Sequence, residues 1–405
     1  MALTTKAAMV PANDNKATGS FVFVANYSTF DNLAHVPKGT PAKHSLYVYR
    51  LCPRTGQLTL LTVDNSFDNP GFLRYHPQKN ILYLCTEDIL KENTIGAYSV
   101  NPETGALAEI DHWSAHGRST CYLTIDKPQR HMLAVNYWDS TVAAFPIDSS
   151  TGKLRDASHI HEPEKKVVAM SRLDHLHNRQ LEPHAHAIVL DPYEGHLAFV
   201  PDLGLDVIKI FTYDNATGCL KTAQTAAPGP AGSTHGPRYV HFHPELNIMY
   251  VVNELSSTVS VFDYDREAAA QLAANPSADV TILTFKQSIP TVPEAFPRSL
   301  NTCGRICLDP SGQYVVVSNR GHNSIATFKA DASTGMLKQP EFFHTRGRTP
   351  RHFQFDATGH WLVVANQDTD TITVFRFNRE EGVLEFTGHT YDVPSPNFVC
   401  VHAPH

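Results

Sequence analysis

The sequence predicts an all-β protein, a seven-bladed β-propeller of four-stranded blades closed by the C-terminal strand pairing into the first blade. Three observations carry this. A unit of short strands recurs along the chain, turn signals separate the strands, and the first copy lacks a strand that the far end supplies.

Each unit opens on a short apolar strand ending in His or Asp, usually followed by Pro. A turn leads to a strongly apolar strand ending in Asn or Asp. An alternating strand with Thr or Ser, Ile or Val and an aromatic follows, then a Thr-Gly turn and a leucine. Alternation of period two between turn residues is the mark of strands. The first copy begins at 21–26, which already resembles the second strand of the others. The second starts near Gly71 (GFLRYHPQKNILYLCTED), the third near Cys121 (CYLTIDKPQRHMLAVNYWD) and the fourth near His186 (HAIVLDPYEGHLAFVPDLG). The fifth covers 238–265, the sixth 304–337 and the seventh 351–384. Second strands end at Asn26, Thr86, Asn136, Asp202, Asn253, Asn319 and Asn366, with separations of 60, 50, 66, 51, 66 and 47 residues. Those lengths suit four-stranded units carrying loops of unequal size. Thr-Gly turns recur at Gly56, Gly105, Gly152, Gly218 and Gly335. The segment PNFVCVH at 396–402 resembles PRHFQFD of the seventh copy, so it is expected to complete the first blade and remove two exposed sheet edges.

Two stretches depart from the repeat. An Ala-rich insertion at 267–278 is expected to form one or two helical turns, and a charged stretch at 159–183 separates the third and fourth units. Both read as surface loops overhanging a face. Residues 1–19 read as a disordered tail and 20–405 as one propeller.

Composition narrows the function classes. Lys and Arg total 33 against 40 Asp and Glu, a formal charge of −7, so nucleic acid is not an expected partner. The first twenty residues hold no apolar run suited to a signal peptide or a membrane span. Seven scattered cysteines without CxxC spacing fit small buried thiols in a reducing cytoplasm. No phosphate-binding Gly-rich loop, GxSxG elbow or HExxH motif is present. A closed propeller needs no edge partner, and a monomer is expected.

The meander itself predicts a site. Inner strands start, and second strands return, at one mouth of the central channel. The opening residues are Gly71, Cys121, His186, Arg238, Gly304, Arg351 and Asn397. Those just past the second strands are Tyr27, Glu87, Tyr137, Leu203, Glu254, Arg320 and Gln367. A purely structural ring repeats one residue type, whereas this ring varies and gathers His, Arg and Glu. Arg and Glu at strand ends often only pair with one another, but three arginines at one mouth of an acidic protein point to a small anionic ligand. His184 joins the set through the His184/His186 pair. That pair and His241/His243 have strand spacing that permits chelation, but no Cys or carboxylate completes a site, and His243 occupies the turn position filled by Asp elsewhere. No metal or other cofactor is called for.

The segments GPRYVHFHPELNIMYVVNELSSTVSVFDYD and VSNRGHNSIATF, with PHxH opening the fourth unit, resemble the seven-bladed propeller lactonase family. That family includes bacterial propeller-type 6-phosphogluconolactonases and the fungal 3-carboxy-cis,cis-muconate lactonizing enzyme. The resemblance covers nearly the whole chain beyond the tail. It implies a catalytic His, two Arg and a Glu. Carried over by motif these are His186, Arg238, Glu254 and Arg320, with Arg305 of the same blade as the other candidate for the second Arg. His184, Arg351, Glu87, Tyr137, Tyr27 and Gln367 would then bind substrate. The long stretch before His184 departs from the shorter family members.

The function so implied is a lactonase acting on an anionic sugar lactone, foremost 6-phosphogluconolactone in the pentose phosphate pathway. Opening a lactone needs a positioned water, a base (Glu254 or His186) and positive charge at the oxyanion or a substrate phosphate (Arg238, Arg320). The alternatives are carboxymuconate lactonization and a non-enzymatic scaffold, which would more often carry WD or Kelch signatures. A calcium-dependent six-bladed lactonase would need carboxylates and Asn where this chain places arginines.

Overall fold

A computed structural model describes residues 19–163 and 179–405. The strands form seven four-stranded antiparallel sheets arranged as the blades of a propeller. Blade 1 is built from Ser20–Asn26, Leu46–Leu51 and Leu58–Asp64, with Pro396–His402 as its inner strand. That closing strand pairs Phe23 with Cys400 and Val24 with Val399. Blades 2, 3 and 4 open on Pro70–Tyr75, Thr120–Ile125 and Val189–Leu190, and blades 5, 6 and 7 on Pro237–Phe242, Thr302–Leu308 and Pro350–Phe355. The expected tail, apart from Gly19, lies outside the described residues.

The recurring Asn has a structural reason. At the end of a second strand, Asn136 donates to Ala115 O (2.8 Å), Asn319 to Thr291 O (2.6 Å) and Asn366 to Thr345 O (3.2 Å). Each acceptor lies just past the outer strand of the preceding blade, and Asn26 closes the ring through Pro394 O at 2.5 Å. In five of the seven blades a buried amide thus pairs a carbonyl at the blade junction. In blade 4 Asp202 takes this position and binds Ser140 Oγ (3.0 Å) and Lys209 Nζ (2.7 Å) instead. The Thr-Gly turns also pack on the preceding blade: Gly152 has φ +73°, and a Cβ there would stand 2.2 Å from Ile81 of blade 2.

Both insertions differ from the expected surface loops. The helix Arg266–Ala274, capped by Asp265, is longer than one or two turns, and it follows a third strand. It therefore lies at the channel end opposite the predicted mouth. The charged stretch begins with a strand, His159–His161, which is the outer strand of blade 3. Residues 164–178 lie outside the described residues. The chain returns at Arg179, on the side where inner strands start.

A local irregularity sets up the mouth. In blades 1, 2, 3, 5, 6 and 7 the ladder between inner and second strand shifts register where the inner strand opens. Pro237 pairs with Asn253 and Tyr239 with Val252, which leaves Arg238 as the extra residue. Gly71, Cys121, Arg351 and Asn397 are the extra residues of blades 2, 3, 7 and 1. Such a bulge re-aims the side chain it carries.

Candidate active site

Because of the bulges, consecutive residues face the channel together. Arg238 with Tyr239, Arg351 with His352 and Asn397 with Phe398 line one enclosed space, along with His186, Glu87, Gly71 and Cys121. Strict alternation would have turned one of each pair away. The enclosed space is about 20 Å³, room for roughly one water molecule.

Glu254 is the hub. It follows the second strand of blade 5 and is fully buried. Its Oε2 accepts from Arg238 Nη1 at 2.7 Å, and its Oε1 lies 2.5 Å from Arg179 Nη1 and 2.8 Å from Arg320 Nη2. Burial pushes its pKa up, but the three guanidiniums outweigh burial and hold the carboxyl well below the usual range. Arg320 also donates to Cys303 O at 2.7 Å. Burial lowers its pKa to about 10, with attraction from Glu254 set against repulsion from Arg238, Arg351 and Arg179, so it remains a cation at neutral pH.

His186 stands on the other side of Arg238, its Nε2 against Nη1 of that guanidinium. A donor facing Nε2 requires that nitrogen to be unprotonated and assigns the ring proton to Nδ1, which lies 3.8 Å from Cys121 Sγ. Burial and then Arg238 depress the His186 pKa well below its ordinary value. The ring meets Tyr137 edge-on (centroids 5.2 Å), and Tyr137 stacks flat on His184 (4.6 Å, 8°). The two histidines of the HxH pair share Tyr137 as a ring neighbour but have separate polar partners: His184 Nδ1 lies 3.2 Å from Tyr137 O, and His186 faces Arg238 and Cys121.

Across the mouth Tyr27 donates to Glu87 Oε2 at 2.7 Å, and the Arg351 guanidinium lies 5.6 Å above the Tyr27 ring. Burial raises the Tyr27 pKa well above its ordinary value, Arg351 opposes this and Glu87 adds to it, so the phenol stays protonated. Gln367 Oε1 is 3.3 Å from His35 Nε2. The ten residues named as catalytic or substrate-binding all lie around this region. Arg305, the other candidate for the second Arg, stands apart from Glu254, with its guanidinium 5.9 Å over Tyr239.

Two residues join the mouth without having been picked out from the sequence. Arg179 binds Glu254 and Tyr137 Oη (2.9 Å). His35, from the loop after the first strand, packs edge-on against Tyr27 (5.4 Å). Neither has a counterpart in other blades, so the repeat could not point to them. The position of Arg179 in the stretch preceding PHxH was its one signal. Four guanidiniums (Arg179, Arg238, Arg320, Arg351) face two carboxylates, leaving two formal positive charges with the histidines neutral. Beneath lies an aromatic floor: Tyr239, Tyr122, Phe72, Phe398 and His352 follow one another at centroid distances of 5.6, 4.6, 4.4 and 3.7 Å.

A family model described as "Lactonase, 7-bladed beta-propeller" matches residues 22–402. Among curated proteins, a 6-phosphogluconolactonase of Bacillus subtilis is 30% identical over 339 residues, covering 83% of this chain and 88% of that protein. A 6-phosphogluconolactonase of Formosa agariphila is 29% identical over 318 residues, covering 76% and 81%. Among solved structures, a periplasmic gluconolactonase of Pseudomonas aeruginosa superposes with a TM-score of 0.78 at 24% identity, covering 95% of this chain and 99% of that one.

Proposed function

The chain belongs to the seven-bladed β-propeller lactonase family, and from that premise we propose that it hydrolyses an anionic sugar lactone, 6-phosphogluconolactone, to the open-chain acid. The observation that carries the reading is the clamp of three guanidiniums on Glu254 beside an unprotonated His186. A phosphorylated lactone is an anion, and the excess positive charge of the mouth suits it. The curated relatives named for this substrate support the same choice.

The residues divide the work as follows. Arg320, Arg351 and Arg179 hold the substrate phosphate through paired hydrogen bonds. Arg238 faces the lactone carbonyl and stabilises the oxyanion that forms when water adds. Glu254, held ionised by three cations, is a poor base and serves to orient them. His186 is neutral and accepts the proton of the attacking water at Nε2 as Arg238 turns toward the oxyanion. The ring C–O bond then breaks, and the proton passes to the leaving alkoxide. His184, Tyr137, Tyr27, Glu87 and Gln367 wall the sugar. No step calls for a metal.

We place this activity in the cytoplasm, in a monomer. All seven cysteines are free, which suits a reducing compartment, and no helix among the described residues is long and apolar enough to cross a membrane. The test is hydrolysis of freshly generated 6-phosphogluconolactone in EDTA, corrected for the spontaneous rate. Turnover that collapses in His186→Gln supports the assignment, and a wild-type rate equal to the spontaneous one rejects the substrate.

A further inference from the structure

The channel has a second end. Below the aromatic floor a cavity of about 470 Å³ opens on the face opposite the candidate active site, lined by Arg305, Leu308, Phe355, Val401 and His402 among others. That volume falls within the roughly 300–1,000 Å³ of small-molecule sites, which are mostly apolar with a few fixed polar groups. Leu308, Pro310, Phe353, Phe355 and Val401 give this cavity such a wall.

Arg305 is the exception in that wall. Its backbone N–H is taken by Ser318 Oγ (3.0 Å). Its side chain has neither hydrogen bond nor ion pair among the described residues, and its Nε is buried without an acceptor. Its one ring contact is the Tyr239 face above it. The neighbouring titratable groups do not neutralise it. Asp356, the carboxylate lining the cavity, is spent on its own turn, with Oδ1 accepting from Trp361 N (2.9 Å) and Oδ2 from Thr358 Oγ1 (2.5 Å). Gln354 pairs through its amide with the Val401 backbone. His352 and His241 feel the cation as a repulsion that helps keep them neutral. Arg305 is partly buried, and its guanidinium reaches the cavity without a hydrogen-bonded anion of its own, so a carboxylate entering there would meet a cation free to pair with it.

We propose that this cavity is a second binding site, separate from the mouth, for a small organic monoanion: a carboxylate head on Arg305 and an apolar body against Phe355, Leu308 and Val401. The floor separates the two sites, so the proposal does not depend on the lactonase reading. Arg305 is a binding residue here and takes no part in the hydrolysis.

Benzoate is the probe, titrated by calorimetry at constant ionic strength with inorganic phosphate as the control anion. Saturable one-to-one binding of benzoate is expected in the wild type and in Arg320→Met, where the mouth is altered. Arg305→Met should weaken it by at least about tenfold. The exposed rim residue Ala357 provides a second variant that leaves the wall intact: Ala357→Glu should weaken binding several-fold with an unchanged Tm, and it decides the matter if Arg305→Met does not fold. Absence of saturable binding to the wild type would overturn the proposal. So would loss in Arg320→Met with none in Arg305→Met, or in Ala357→Glu where Arg305→Met does not fold, or phosphate binding as tightly as benzoate, which an apolar wall cannot explain.

Discussion

A carboxylate that accepts from Arg179, Arg238 and Arg320 at once places charge more effectively than it takes up protons. Glu254→Gln should therefore lose turnover through disorder of the guanidiniums, by roughly 10²-fold or more, the scale of losing oriented oxyanion donors. Removing one partner of a buried ionic cluster also costs about 3–5 kcal/mol, so the urea midpoint should fall while far-UV circular dichroism still reports folded blades. A variant that keeps near-normal turnover would remove Glu254 from the machinery. The base makes a different prediction. With the His186 pKa well below 6.5, the unprotonated form persists on the acid side of neutrality. The kcat/KM profile should stay flat from pH 7.5 down past 6.5 and fall only below it. An acid limb centred at or above 6.5 would assign the base to another group.

At the scale of the element, the stretch before His184 and the strand-end asparagines make separate claims. Arg179 reaches Glu254 from outside the repeat, on a half-exposed side chain. Arg179→Met should raise KM for the phosphorylated lactone several-fold more than it lowers kcat, and should discriminate less against an unphosphorylated lactone. Equal effects on both substrates would make Arg179 a prop for Glu254 alone. Asn136 has all its partners satisfied: Ala115 O, Thr141 Oγ1 (2.7 Å) and Thr120 Oγ1 (2.6 Å). Asn136→Ala strands the Ala115 carbonyl between blades 2 and 3 and should cost about 1–3 kcal/mol, read as a lower urea midpoint at unchanged m-value. These two residues also mark what the sequence discloses. Asn136 was legible as a spacing marker because five of the seven blades pair an interblade carbonyl with an Asn at this position, and a need repeated so often leaves a periodic trace. The Arg238 and Glu254 positions were legible because the meander alone brings strand starts and strand returns to one mouth. Arg179 and His35 answer to one blade only and leave no period. The bulge at Arg238 was not legible either. It adds one residue without breaking the run of apolar side chains, and Pro237 at the strand start is its only outward sign.

The stability of the whole molecule should follow the protons of four of its histidines. His35, His186 and His352 are held well below the ordinary histidine pKa, and His241 is lowered to about 4, in each case by burial first and by neighbouring cations after it. In the unfolded chain all four return to about 6.5. Above that pH both states hold these rings neutral and their contribution is flat. As pH falls from 6.5 toward 4 the unfolded chain takes up protons that the folded one refuses, so each ring removes stability with a slope of up to about 1.4 kcal/mol per pH unit. Glu254 acts in the same sense further down: its folded pKa lies below 4.5, so the stability of its cluster is present above 4.5 and is lost as pH falls through the folded value. The two contributions do not offset one another, and the protein should be acid-labile rather than acid-tolerant despite its closed ring. Urea midpoints measured from pH 7.5 to 5 should drop steeply below 6.5, by an amount equivalent to several protons taken up on unfolding. His241→Gln should flatten that slope by up to one proton, since His241 lies away from the Glu254 cluster. A midpoint that stays level from pH 7.5 to 5 would mean that water reaches these rings, and with it the neutral His186 on which the proposed mechanism relies.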